Sequence, residues 1–143
     1  MFYSFIMLTK QITEKIIERQ AEVLGIAKPR IRFNRFSKIY AKPAKNLLSI
    51  DLCELNRSCY ADLYNAELWN HIALTSYRKR IRFILGHEVG HIYHFQKHFN
   101  HFQKYKVKAS VKAKLNHADY RKMKKEKIAD KIGLILLKKY FQK

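Results

Sequence analysis

Three stretches of the chain place apolar residues at helical spacing. The first covers residues 9–24, with Thr9 as a candidate N-cap and Gly25 as a candidate C-terminal stop. The second begins after Ser76, a reasonable cap, and extends to about residue 99, whereas the third covers about residues 119–140. The buried sides of the second and third helices are expected to carry Ile81, Ile84, Leu85, Glu88, Ile92, Ile128, Ile132, Ile135 and Leu136. The pattern therefore predicts three amphipathic helices.

Shorter patterns between the first two helices predict strands. Residues 31–36 alternate as a half-buried strand does, and residues 47–52 form a second candidate strand. Residues 42–46 contain Pro43 and indicate a turn between them, and residues 72–75 form a candidate third strand. The spacing in residues 53–70 is only weakly helical, and residues 103–116 fit either a loop or a weak helix.

The order helix, strands, helix, helix predicts an α+β fold, with a small antiparallel or mixed sheet packed on two core helices. A chain of 143 residues, 48% of them hydrophobic, suits a single domain over residues 1–143 that needs no disulfide. Cys53 and Cys59 are accordingly expected to be reduced thiols in a cytoplasmic protein. Residues 1–8 are apolar but too short to span a membrane, and they lack a basic leader. They are interpreted as a buried segment, or as upstream sequence if translation starts at Met7.

The most specific motif is His87-Glu88-Val89-Gly90-His91, an HExxH sequence inside the second predicted helix. Residues four apart share a helix face, so the two imidazoles can converge on one metal ion. Glu88 is rotated by about 100° from His87, a position suited to a general base acting on a metal-activated water. Burying these polar groups in an apolar helix costs free energy unless they are paired or bind metal. Gly90 would allow another backbone to approach closely.

A catalytic zinc site needs a third protein ligand, for which Glu126 is the best candidate. Glu126, Asp130 and Gly133 share one face of the third helix, which would suit close packing against the HExxH helix. Asp130 is expected to hydrogen-bond the outer nitrogen of a histidine, most plausibly His87, and to set its tautomer. Zn²⁺ is the expected cofactor, although a two-histidine, one-carboxylate site also suits Mn and Fe.

The HExxH motif followed about 35 residues later by Glu126-Lys127-Ile128-Ala129-Asp130 resembles the gluzincin pattern. More closely, the layout resembles the ImmA/IrrE family of small metallopeptidases over most of the chain. The matching segments are Leu24-Gly25-Ile26, residues 80–91 and residues 126–137. The resemblance implies a minimal zincin-like fold, a zinc-dependent endopeptidase and, as substrate, a DNA-bound regulatory protein such as a repressor. In SprT-like proteases the third ligand is instead a histidine, for which only His101 or His117 would serve here.

The expected reaction is peptide hydrolysis by a metal-activated water, with Glu88 carrying the proton to the leaving amine. The substrate is expected to add as an extended strand along an exposed sheet edge, at residues 47–52. A further donor for the developing oxyanion is expected, with His117, Tyr105 and Tyr120 as candidates.

The charge balance supports an alternative function. The chain carries 30 Lys and Arg against 11 Asp and Glu, for a formal net charge of +19. Such an excess attracts polyanions, so the alternative is a basic module that binds nucleic acid or an acidic partner without protease activity. The two functions are compatible if basic residues deliver the enzyme to a substrate on DNA. No membrane partner is expected.

Overall fold

The architecture is that of a computed structural model, which describes residues 9–60, 76–106, 114, 116, 119 and 123–142. The described chain is α+β, as predicted, and the α-helices and β-strands are numbered here in chain order. They are α1 (Lys10–Leu24), β1 (Arg30–Phe33), β2 (Ile39–Lys42), a 3₁₀ turn (Pro43–Lys45), β3 (Leu47–Ile50), α2 (Leu52–Tyr60), α3 (Tyr77–Lys97), α4 (Phe99–Lys104) and α5 (Lys124–Phe141).

Side-chain caps set the ends of the first two predicted helices. The Thr9 hydroxyl accepts the N–H of Ile12 at 3.1 Å, and the Ser76 hydroxyl accepts the N–H of Lys79 at 3.2 Å. Helix α1 ends at Gly25, whose φ of 68° is left-handed. The predicted caps and the extents of α1 and α3 are thus confirmed to within about two residues.

The sheet is mixed and has the strand order β1-β3-β2. Strand β3 pairs in parallel with β1, where Arg30 lies opposite Leu47, and antiparallel with β2, where Ile39 lies opposite Ile50. All four residues of β3 are buried. The prediction that residues 47–52 form an exposed edge is therefore wrong, because this segment is paired on both sides.

Strand β2 was not predicted, and it is an outer strand among the three that the structure describes. The strand is followed by the 3₁₀ turn, which lies within the turn predicted for residues 42–46. The chain leaves β3 through Asp51, whose carboxylate accepts the N–H groups of Ser37 and Cys53 at 2.8 and 2.9 Å. These hydrogen bonds, the one from Ser37 foremost, lower the pKa of Asp51. Asp51 therefore caps the start of α2. The first part of the weakly helical stretch at residues 53–70 is thus a helix.

Helix α3 occupies the centre of the described structure and contacts α1, α2, α4, α5, β2 and the 3₁₀ turn. Its apolar side joins the sheet and α1 in a core. The largest fully buried apolar side chains are Ile17, Leu48, Ile50, Leu55, Ile81, Leu85, Ile92 and Val89. Ile135, expected in the buried stripe of the last helix, is instead 44% exposed.

Close backbone approach joins α3 to α5. A Cβ atom built on Gly133 would lie 3.1 Å from the backbone nitrogen of His87 and from the carbonyl oxygen of Phe83. A Cβ atom on Gly90 would lie 3.2 Å from the carbonyl oxygen of Ala129. Both glycines thus allow the contact that was predicted for them, and this contact brings the first turns of α5 against the HExxH segment.

Several expectations concern residues outside the described part of the chain, among them residues 1–8 and the candidate strand at 72–75. Within the described part, α5 begins at Lys124 rather than near residue 119. None of the described helices has the length and apolar character needed to cross a membrane.

Candidate metal centre

The two histidines of the HExxH motif meet on the buried side of α3. His87 and His91 are only 6% and 7% exposed, and their Nε2 atoms lie 3.2 Å apart. Glu88 is partly buried, and its Oε2 lies 3.9 Å from His87 Nε2. These three side chains form a group that could hold a metal ion.

A second carboxylate reaches the same point from α5. Glu126 lies in the first turn of that helix and is 1% exposed. Its Oε1 lies 3.0 Å from His87 Nε2 and 3.2 Å from His91 Nε2. The predicted ligand atoms of His87, His91 and Glu126 are therefore brought together, although they come from segments 35 residues apart or more.

Asp130 lies one turn after Glu126 and contacts the other nitrogen of His87. Its Oδ1 is 2.7 Å from His87 Nδ1, so Nδ1 donates a proton to the carboxylate. This hydrogen bond leaves Nε2 directed at His91 and Glu126. It also makes the imidazole more basic, as carboxylates behind metal-binding histidines do.

The electrostatics of the cluster stabilise a positive charge at its centre. Burial alone would lower the pKa of His87, but hydrogen bonds with Asp130 and Glu126 and the charge of Glu88 raise it to about 9. Burial alone would raise the pKa of Glu126, yet hydrogen bonds from His87 and His91 hold it well below its usual range. The negative charges of Glu88 and Glu126 favour a positive charge at His87 Nε2, whether it is a proton or a metal cation.

The spacing of the three atoms fits a tetrahedral metal site. A zinc ion with bonds of about 2.0–2.1 Å separates neighbouring ligand atoms by about 3.3 Å. The three observed separations are 3.0, 3.2 and 3.2 Å. In addition, Glu126 Oε2 is buried and has no hydrogen-bond partner among the described residues. The donor set is compatible with Zn²⁺ and with other divalent transition metals.

His101, the alternative third ligand, makes a different contact. Its Nδ1 lies 2.9 Å from Nε2 of His94, one turn beyond His91 on α3. Burial, together with the neighbouring charge of His101, lowers the pKa of His94 to about 4, so His94 is neutral near pH 7. His101 of α4 therefore pairs with His94 of α3, whereas Glu126 pairs with His87 and His91. This histidine pair was not predicted.

The structure describes one of the three candidate oxyanion donors, Tyr105. His117 and Tyr120 lie outside the described residues. The Tyr105 ring packs edge-on against His101, with the centroids 4.9 Å apart.

Comparison with protein-family models, with curated proteins and with solved structures gives no match for this chain.

Proposed function

We propose that this protein is a zinc-dependent metallopeptidase whose ion is held by His87, His91 and Glu126. The observation that carries the proposal is the convergence of their three ligand atoms within 3.2 Å of one another. Two helices supply these atoms from an otherwise apolar interior, where unpaired polar groups are costly. A site of three protein ligands leaves a fourth position for water or substrate, as catalytic zinc sites do.

The two carboxylates differ in distance, and this difference supports different roles for them. Glu126 Oε1 is 3.0 Å from His87 Nε2, which suits a ligand of the same ion. Glu88 Oε2 is 3.9 Å away, and its side chain is 14% exposed against 1% for Glu126. Glu88 is thus placed beside the ligand cluster and nearer solvent, as a general base requires.

A divalent ion bound by these residues would supply Lewis acidity, polarising a substrate carbonyl and acidifying a water molecule. Glu88 would take the proton from the attacking water and deliver it to the leaving nitrogen. Asp130 would keep the His87 ring in one tautomer and one orientation through its 2.7 Å hydrogen bond. The buried setting of His87, His91 and Glu126 strengthens each of these interactions by excluding solvent.

Strand β2 replaces residues 47–52 as the proposed platform for an extended substrate. Among the described strands it lies at an edge of the sheet, and it contacts α3. The N–H of Asp51 donates to the carbonyl oxygen of Lys38, which lies opposite it. Every second residue from there therefore directs its backbone N–H and C=O groups toward β3, namely Lys38, Tyr40 and Lys42. The N–H and C=O groups of Ile39 and Ala41 consequently point to the other edge, where a peptide strand can add.

The resemblance to the ImmA/IrrE family and to gluzincins extends the proposal to a minimal zincin-like domain and to the substrate. This resemblance implies a protein or peptide substrate, in particular a DNA-associated regulatory protein. The net charge of +19 supports a substrate that is associated with DNA, because this charge attracts the protein to nucleic acid.

The proposal is tested with a peptide library derived from a digested proteome, incubated with zinc-loaded protein and analysed by mass spectrometry. We expect new termini that disappear with 1,10-phenanthroline and in Glu88→Gln, a variant that keeps the ligands. Asp119→Asn serves as a matched control because this acidic residue is exposed and outside the cluster. Cleavage that persists in Glu88→Gln at the wild-type rate would remove the general base from the mechanism.

A further inference from the structure

A groove lies between α1 and the C-terminal half of α5. It encloses about 430 Å³, and residues of α1, Arg82 of α3 and the last turns of α5 line it. The α1 side extends from Ile12 to Val23, a length of about 16 Å at 1.5 Å per residue. The groove is therefore as long as three turns of a helix.

Aliphatic side chains form part of the groove lining. Ile16 and Leu136 are buried at its base, whereas Ile12 and Val23 line it while remaining 39% and 37% exposed. Large apolar side chains exposed together along one groove indicate an interaction site more strongly than scattered ones do.

Tyr140 forms a fixed wall at the α5 end. The Arg82 guanidinium stacks on its ring at 3.8 Å, and Arg78 Nη2 donates to its hydroxyl at 2.8 Å. Two cations thus hold the aromatic ring in place. A side chain held by these two contacts loses little further conformational freedom when a partner binds.

The charged residues around the groove are all basic. Lys15, Arg19, Arg82 and Lys139 line it, and no Asp or Glu is among its described lining residues. Arg19 also contacts Glu22 at 3.5 Å on the exposed side of α1, so its charge is partly balanced there. The remaining cations come from α1, α3 and α5 and line the groove together with the apolar side chains.

We propose that this groove is the docking site for an acidic amphipathic helix of a partner protein. The apolar face of such a helix would lie on Ile12, Ile16 and Val23, as in helix-in-groove recognition. Its Asp and Glu side chains would meet Lys15 and Lys139 at the margins. The charge complementarity would speed association and exclude basic partners.

The shape and the apolar floor favour this occupant over nucleic acid. A phosphate backbone gains from Lys and Arg but has no apolar face to bury against the isoleucines. The proposal does not depend on peptidase activity, because no groove residue belongs to the metal cluster.

The test is a selection of displayed 16-residue linear peptides on the immobilised full chain, followed by fluorescence anisotropy at 0.15 M salt. We expect enriched peptides with apolar residues at positions i, i+3 or i+4, and i+7, and with Asp or Glu between them. Scrambled peptides of equal charge control for attraction to the net charge. They are expected to bind at least tenfold more weakly.

Two double variants locate the binding. Ile12→Ser with Val23→Ser removes the exposed apolar contacts, and Lys15→Glu with Lys139→Glu reverses the flanking charge. Each is expected to weaken binding at least tenfold, whereas Phe36→Ser with Lys38→Glu, on exposed positions elsewhere, should leave it unchanged. Circular dichroism checks that all three remain folded.

Three results would overturn the proposal. The first is a set of enriched peptides without acidic amphipathic character, and the second is equal affinity for wild type and both groove variants. The third is a concentration-dependent dimer, seen by sedimentation and abolished by the groove variants, because the occupant would then be a second copy.

Discussion

Asp130 Oδ1 lies 2.7 Å from Nδ1 of His87, on the side of the imidazole that faces away from His91 and Glu126. This contact links α5 to the HExxH motif on α3, through a hydrogen bond of the kind that orients a metal-binding histidine. It determines which nitrogen of His87 is available for an ion. The role of Asp130 can be separated experimentally from that of the ligands.

We expect Asp130→Asn to weaken zinc binding by about 10–100-fold while the protein remains folded, because a neutral amide no longer fixes the His87 tautomer. The measurement is competition with a chromophoric zinc chelator. Lys131→Ala, an exposed neighbour on α5, is the control and should bind zinc like the wild type. Unchanged affinity in Asp130→Asn would show that the hydrogen bond does not contribute to metal binding.

The metal-free protein should lose stability as the pH rises. The folded-state pKa of His87 is about 9, above the ordinary value of 6.5, so protonation favours the folded state. The contribution, about 3 kcal/mol at most, is present in full below pH 6.5 and is lost as the pH rises through 9. Urea unfolding in EDTA between pH 6 and 9.5 measures it.

His87→Gln serves as the reference for that titration, because lysines and tyrosines also change charge near pH 9.5. The free energy of unfolding of the wild type should fall more steeply with pH than that of the variant. Parallel curves for the two proteins would contradict the assigned pKa.

Gly133→Ala should destabilise the protein although alanine is the better helix former. The added methyl group would lie 3.1 Å from backbone atoms of α3, where neither helix can yield easily. Overpacking of this kind costs about 1–3 kcal/mol. Replacing glycine by alanine within a helix gains about 1 kcal/mol of helix propensity, so overpacking outweighs this gain in the upper part of its range. We expect a melting temperature lower by a few degrees, measured by circular dichroism. An increase would mean that the helices are less closely packed than described.

Ala41→Pro tests the edge of the sheet as a substrate platform. Its N–H faces away from β3, so proline should be tolerated there while removing a donor for an added strand. We expect KM for a cleaved peptide to rise about tenfold with zinc content unchanged. Tyr40→Pro would instead remove a hydrogen bond to β3 and should destabilise the fold. An unaltered KM in Ala41→Pro would place the substrate elsewhere.

The helices were the predictable part of the fold because their signals are local. Thr9, Ser76 and Gly25 mark the ends of α1 and α3, and the apolar spacing between them is regular. The pairing of strands is not local. The run Leu47 to Ile50 is apolar on nearly every residue, which is typical of a strand covered on both faces, and it lies at the centre of the sheet.

Strand β2 escaped prediction because its four residues, Ile39–Lys42, show little alternation and end at a proline turn. The start of α2 carried a usable signal, since Asp51 is followed three residues later by Glu54 in the manner of a capping box.

The cluster itself was predictable from spacing, because His87 and His91 share a helix face and Glu126, Asp130 and Gly133 share another. That the two faces meet depends on tertiary packing at Gly90 and Gly133, which the sequence could only indicate. The pairing of His94 with His101 depends on the bend between α3 and α4, and no pattern in the sequence specifies that bend.

The most direct test of the metal centre is the zinc content of protein purified without added metal and then supplied with one equivalent of zinc. The wild type should retain about one zinc per chain, and His91→Ala and Glu126→Ala should each lose it. His98→Ala and Glu18→Ala, on exposed positions, are matched controls that should retain it. A wild type that binds no zinc, or a Glu126→Ala variant that binds it as tightly as the wild type, would contradict the proposed ligand set.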